Sequence, residues 1–261
     1  MEEKLQEFKR LLEIMERLRA ECPWDREQTF ESMRVQTIEE TYELADAIMK
    51  DDKKAIMTEV GDLLLHVVFY AQMGSETGDF DIFDVCKNLN EKLIFRHPHV
   101  FSNTKADNSQ TVVQNWEDLK LKEKNGNRTV LAGVPETLPA LIKAHRIQDK
   151  ARNVGFDWEK REQVWDKVQE EFQELKDEIE AMDKNKMEEE FGDLLFSLIN
   201  AARLYDINPE NALERTNRKF IQRFNYLESQ TISQGKDLRQ MSLDEMDVFW
   251  EEAKKKEKQE G

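Results

Sequence analysis

Between residues 164 and 182, Val164, Val168, Phe172, Leu175, Ile179 and Met182 form one apolar stripe. Steps of three and four are the period of an α-helix with one buried face. The next segment opens polar, as KMEEEFGD, and then turns apolar almost all round, as LLFSLINAARLY. A helix of that composition is normally buried. The same transition occurs earlier, where TEVGD runs into LLLHVVFYAQ. Few runs alternate with period two. Leu, Glu, Lys, Met and Ala, all good helix formers, fill long stretches between only nine glycines and five prolines. The pattern predicts an all-α fold.

The two transitions belong to an internal duplication. With the second half shifted by 131 positions, IEETYEL (38–44) meets QEEFQEL (169–175) and TEVGDLLL (58–65) meets EEFGDLLF (189–196). The spacing from Glu43 to Glu59 equals that from Glu174 to Glu190, and the breaks KDDKK and MDKNK coincide. Upstream, CPWD and GFDW both read as short aromatic turns between helices; downstream, NEKLIFR resembles NRKFIQR. Each half is expected to be a bundle of four or five helices. Gly and Pro cluster between them, which predicts an N-terminal domain over 1–124, a linker over 125–136 and a C-terminal domain over 137–261.

Composition narrows the function. Charged residues make up 36% of the chain and the net charge is -16. Such a surface repels a phosphodiester backbone, which argues against a nucleic-acid polymer as partner. A small anionic substrate needs a metal or a local group of lysines to receive it. Two cysteines, Cys22 and Cys86, make neither a disulfide framework nor a zinc site, and both are expected to pack in the core. The start, MEEKLQEFKR, has no signal-peptide pattern, and the apolar run LLLHVVFYAQM is too short for a bilayer and contains His66. The expectation is a cytoplasmic protein with no membrane partner.

The acids carry the chemistry. Glu171 falls within the apolar stripe of its helix and Glu174 on its edge, while Glu190, Asp193 and Ser197 share one narrow polar strip on the next helix. Two adjacent helices therefore bring Glu171, Glu174, Glu190 and Asp193 towards a common interior. Glu40, Glu43, Glu59 and Asp62 form the matching set in the first half. Packed carboxylates repel one another, so a cation should sit among them. An oxygen-only donor set suits a hard cation, Mg²⁺ or Mn²⁺. Gly61 and Gly192, two residues after Glu59 and Glu190, are expected to let a neighbouring helix approach. Glu188 and Glu189 by themselves read as a solvated face. No histidine follows a glutamate by three, which leaves out the di-iron bundle pattern, and there is no P-loop, H-E-x-x-H or G-x-S-x-G. Metal-assisted hydrolysis of a phosphate compound is the chemistry that remains.

EETYE…EVGD and EEFQE…EFGD, with CPWD, FYAQM, RHPHVF and GFDW between them, closely resemble the tandem-domain MazG family of nucleoside triphosphate pyrophosphohydrolases, over essentially the whole chain. The resemblance implies a helical fold akin to the dimeric all-α NTP pyrophosphatases. It implies Mg²⁺-dependent hydrolysis of NTPs and dNTPs to the monophosphate and pyrophosphate, with water attacking the α-phosphorus. It makes Glu171, Glu174, Glu190 and Asp193 the metal ligands and catalytic set, Lys219 and Arg223 phosphate-binding residues, and Trp250 a nucleotide-binding aromatic. Glu170 and Glu189 flank the quartet and join the substrate-binding candidates. The proton acceptor is left open between Glu170 and a member of the quartet. The resemblance also implies a homodimer.

The two copies differ beside the acids. Lys167 lies one turn before Glu171 and Lys186 one turn before Glu190; their counterparts are Gln36 and Ala55. The two lysines either receive triphosphate charge or balance neighbouring glutamates. The first reading, with Trp250, makes the C-terminal copy the principal catalyst and the set at Glu40, Glu43, Glu59 and Asp62 a weaker or regulatory site. Two other functions stay open: a helical scaffold whose acids are only surface, and a phosphohydrolase releasing orthophosphate.

Overall fold

The computed structural model describes residues 1–102 and 129–260, and the chain divides into two compact units. The first contains α1 (Glu2–Glu21), α2 (Pro23–Glu27), α3 (Phe30–Met49), α4 (Lys53–Thr77), α5 (Ile82–Arg96) and α6 (Pro98–Phe101). The second contains α7 (Ala140–Arg152), α8 (Val164–Ala181), α9 (Lys184–Leu204), α10 (Pro209–Ser233) and α11 (Leu243–Glu260). No strand occurs among the described residues, as the periodicity predicts. The boundary expected at residue 124 and the linker positions 125–128 lie outside the described residues. Residues just after them dock on the second unit: Lys150 donates to the Val130 carbonyl at 3.1 Å and Lys143 to the Glu136 carbonyl at 2.6 Å.

In each unit the dominant pair is a helical hairpin, α3 with α4 and α8 with α9. The two turns are built alike. Asp51 and Met182 take left-handed φ values of 54° and 58°, and the next residue, Asp52 or Asp183, caps the following helix. Asp52 accepts from the amides of Lys54 and Ala55, Asp183 from those of Asn185 and Lys186. A short side-chain acceptor satisfies amides that no helical carbonyl can reach. The matching breaks KDDKK and MDKNK therefore encode one turn twice.

The first unit closes its core on Met15, Met33, Val68, Phe69 and Met73, from α1, α3 and α4. In the second unit, α7 packs on α9 and α10, and α10 packs on α11.

Three expectations are corrected. The helix after Asp193 is not buried all round. Ser197, Ile199, Ala201 and Arg203 are buried, but Phe191, Leu195, Phe196 and Leu198 are exposed, as are Phe172, Ile179 and Met182 of the α8 stripe. Packing on α7, α8 and α10 covers only part of α9. Gly61 and Gly192 do not admit a neighbouring helix, since a Cβ built on either meets open space. Cys86 is exposed and Cys22, at the end of α1, is half-buried, so neither is a core residue. No described helix is long and apolar enough to cross a membrane.

Candidate functional site

Glu171 and Glu174, three apart on α8, point to the same side of that helix, and the hairpin returns Glu190 on α9 beside them. One oxygen from each lies within 4.8 Å of the others. Glu171 is buried, Glu190 half-buried and Glu174 exposed, so the group opens to solvent on one side and is not sealed in an interior. Glu190 Oε2 is fully buried without a hydrogen-bond partner. Burial pushes the Glu190 carboxyl above its ordinary range, and the charges of Glu174, Asp193 and Glu171 push it further. A carboxylate oxygen that lacks a donor among like charges fits a hard cation.

Lys167 adds the neighbouring positive charge. Its Nζ lies 2.9 Å from Glu170 Oε1 and 2.8 Å from Glu171 Oε1, and these two bonds raise its affinity for the proton. Lys186 instead reaches across the hairpin to Glu178 Oε1 at 3.3 Å. Glu170 and Glu189 are exposed. Lys219, Arg223 and Trp250 form a separate group on α10 and α11. Arg223 pairs with Glu257 at 2.7 Å, its guanidinium lies 5.8 Å from the Trp250 ring, and Trp250 packs on Phe220. None of the three lines the cavity described next.

That cavity, of about 670 Å³, lies between α7, the turn Gly155–Trp158, α8 and α9, and Glu171 and Asp193 sit on its wall. Its lining is mostly apolar, with Phe156, Trp158, Val164 and Phe196 among the residues, plus a few polar groups that include Gln148, Ser197 and Asn200. Arg203, buried on α9, grips Asp157 through both terminal nitrogens and bonds Asn200 Oδ1, which fixes the aromatic turn against the helix. Burial opposes ionisation of Asp157, but the bonds from Arg203 outweigh it and hold the carboxyl below its usual range. Asn200 and Arg203 were not among the residues expected from the sequence, although two polar residues three apart in an apolar helix are a signal that could have found them. Gln148 had no such signal, because α7 mixes charges and apolar residues without a clean stripe.

The first unit repeats the acids but not the cavity walls. Glu40, Glu43 and Glu59 also bring oxygens within 4.8 Å of one another. Burial raises the carboxyls of Glu40 and Glu59, and neighbouring acids add to it. The residues matching Ser197 and Asn200 of the cavity wall are His66 and Phe69, and Tyr70 follows them. Phe69 is a core residue, and Thr37 Oγ1 bonds both His66 Nδ1 at 2.7 Å and Tyr70 OH at 2.6 Å. Phe30 stacks on Tyr70, with centroids 5.7 Å apart. Positions that line an open space in the second unit are packed side chains in the first.

A family model described as the MazG nucleotide pyrophosphohydrolase domain matches twice, over residues 28–101 and 159–227. The chain is 45% identical to the nucleoside triphosphate pyrophosphohydrolase/pyrophosphatase MazG of Thermotoga maritima, covering 95% of each chain. It is 43% identical to the nucleoside triphosphate pyrophosphohydrolase of Escherichia coli K12, over 97% of this chain and 99% of the relative. It is also 46% identical to the uncharacterized protein YabN of Bacillus subtilis, over 98% of this chain and 54% of that longer protein. The two family matches bracket the two acidic clusters.

Proposed function

Since the chain belongs to the MazG nucleotide pyrophosphohydrolase family, we propose that it is a nucleoside triphosphate pyrophosphohydrolase, a hydrolase of phosphoric anhydrides, working at the acidic cluster and cavity of the second unit. It converts NTPs and dNTPs to the monophosphate and pyrophosphate with Mg²⁺, for which Mn²⁺ substitutes. One observation carries this reading: an oxygen-only cluster and a largely apolar cavity share Glu171, with Asp193 beside them on the cavity wall. The cluster suits a cation with its phosphates, and the cavity suits a nucleoside.

Glu171, Glu174, Glu190 and Asp193 would hold the cation. A divalent cation there supplies positive charge to phosphate oxygens and makes a water more acidic. Lys167 and Lys186 offer charge to the triphosphate, and the walls at Trp158 and Phe156 exclude water from the nucleoside. Water oxygen bonds to the α-phosphorus while its bond to the bridging oxygen breaks, so pyrophosphate leaves. A carboxylate, Glu170 or a member of the quartet, takes the water's proton. Lys219 and Arg223 are proposed to bind phosphate, Trp250 to contact the nucleotide from outside the cavity, and Glu189 to flank the substrate. The first unit's set, Glu40, Glu43, Glu59 and Asp62, is a weaker or regulatory site.

We also propose a homodimer in the cytoplasm. Exposed Phe172, Phe191, Leu195, Phe220 and Ile221 are the support for the dimer, since so many large apolar side chains on one chain call for a covering partner. Light scattering should give about twice the 30.9 kDa chain mass. The activity is tested by incubating the protein with Mg²⁺ and each NTP and separating the products. Pyrophosphate with monophosphate is expected; orthophosphate as the first product, or full turnover in EDTA, contradicts it.

A further inference from the structure

Glu178 of α8 and Lys186 of α9 meet across the hairpin, where Lys186 Nζ donates to Glu178 Oε1 at 3.3 Å. Glu178 is half-buried and Lys186 exposed. At the same shift of 131 positions, their counterparts in the first unit are Ala47 and Ala55. Both alanines line an open pocket of about 620 Å³ beside Glu43 and Glu59. The acids are thus repeated in the two units, but two alanines cannot make the bridge.

The bridge occupies a defined level of the hairpin. The two helices run antiparallel, so each step along α8 towards its C-terminus meets an earlier residue of α9. Val164 and Lys167 line the cavity together with Phe196 and Asn200. At the next level Glu171, Glu174 and Glu190 gather their oxygens. One turn further along α8 comes Glu178 with Lys186, which itself lies one turn before Glu190. The order along the hairpin is therefore cavity, acids, bridge. A nucleotide with its nucleoside in the cavity and its α-phosphate at the acids has its β- and γ-phosphates at the bridge. Glu178 stands close enough to the acids for its charge to help push the Glu190 carboxyl up.

We infer that Glu178 is a positioning residue: it holds the Lys186 ammonium at the β,γ-phosphate end of the site, so that the site takes triphosphates in preference to diphosphates. The inference rests on the proposal that the cavity receives the nucleoside and the acids the α-phosphate. An ammonium has three N–H donors, so one bond to Glu178 leaves two for phosphate oxygens. A lysine held before the substrate arrives gives up less rotamer freedom on binding than a free one. The Glu178 carboxylate by itself repels phosphate. Positioning and bare charge therefore predict opposite effects when it is removed.

The test is calorimetric binding of the α,β-methylene triphosphate and the α,β-methylene diphosphate of adenosine to the full chain with Mg²⁺. The wild type should bind the triphosphate at least tenfold tighter. Glu178→Ala, which installs the first unit's residue, should weaken the triphosphate about tenfold and move the diphosphate by less than twofold. In a Lys186→Ala background, where the ammonium is gone, Glu178→Ala should weaken the triphosphate no further. Glu178→Gln keeps the shape and loses the charge; it should weaken the triphosphate by less than alanine does, and it decides the sign if the alanine variant does not fold. Tighter triphosphate binding on removal of the carboxylate, equal weakening of both analogues, or equal wild-type affinities overturn the inference and leave the proposed activity standing. If the wild type binds neither analogue, the reading of the cavity and acids falls and the inference with it.

Discussion

Lys167 Nζ lies 2.8 Å from Glu171 Oε1, on the cavity wall that both residues share, while the matching place in the first unit holds Gln36. The pair lies at i,i+4, a spacing that on an exposed helix is worth only a few tenths of a kcal/mol. Here one partner is a buried candidate metal ligand, so the lysine also determines how much negative charge the site presents to a triphosphate. Lys167→Gln should lower kcat/KM by about 10- to 100-fold, mostly through KM, since a buried or half-buried charge pair contributes more than a surface one. Because its carboxylate partners raise the lysine's pKa, the loss should be the same from pH 6 to 9. Steady-state kinetics across that range check both parts; an unchanged KM contradicts the role.

The repulsion around Glu190 gives a prediction about stability. Its carboxyl titrates above its unfolded value, chiefly through burial. A group of this kind contributes its stability below the unfolded pKa, about 4.3 for glutamate, and that contribution is lost as pH rises through the folded value. At pH 7.5 without metal the charged Glu190 is therefore a burden. Glu190→Gln should raise the melting temperature in EDTA by a few degrees at pH 7.5, and by less at pH 5. It should also shrink the increase that Mg²⁺ gives the wild type. Thermal melts with EDTA and with Mg²⁺ at the two pH values test this. A less stable variant that still responds fully to Mg²⁺ contradicts it.

Much of the architecture was legible because it is repeated. The turn with a left-handed residue and an aspartate cap occurs twice, and the acids keep one spacing in both halves. Periodicity could place Glu171 inside the apolar stripe, and it is buried. It could not say which apolar faces a single chain covers, because association and core burial select the same side chains; Phe172, Leu195 and Phe196 read as core and are exposed. Gly192 looked like a close-approach glycine, but the space at its Cβ depends on where a distant helix runs. The cavity was hidden for a similar reason. Its walls come from α7, a turn, α8 and α9, and Gln148 meets Phe196, 48 positions further along the chain, only once these elements have packed.

The packed counterpart of the cavity yields a third prediction. Ser197 occupies the place that His66 holds in the first unit, where the imidazole bonds Thr37. Ser197→His should partly fill the cavity and raise KM for nucleoside triphosphates by at least tenfold. Binding of Mn²⁺ to the acids, followed by electron paramagnetic resonance, should persist. Equal loss of Mn²⁺ and nucleotide would mean that the substitution disturbed the hairpin as a whole, and unchanged KM would show that the nucleoside does not use this space.

The most direct test of where hydrolysis occurs is a matched pair, Glu59→Gln and Glu190→Gln, assayed for pyrophosphate release under saturating Mg²⁺. Both residues belong to acid groups of the same geometry, with oxygens within 4.8 Å of each other. The second unit has a largely apolar cavity and Lys167 beside its acids, whereas the acids of the first unit border a more open, more polar pocket that Glu43, Asp46, Lys50 and Glu59 line. Glu190→Gln should lose at least a hundredfold in kcat, as expected when a group that holds the transition-state charge is removed, while Glu59→Gln should stay within about threefold of the wild type. Loss of hydrolysis in Glu59→Gln with near wild-type turnover in Glu190→Gln would contradict the assignment.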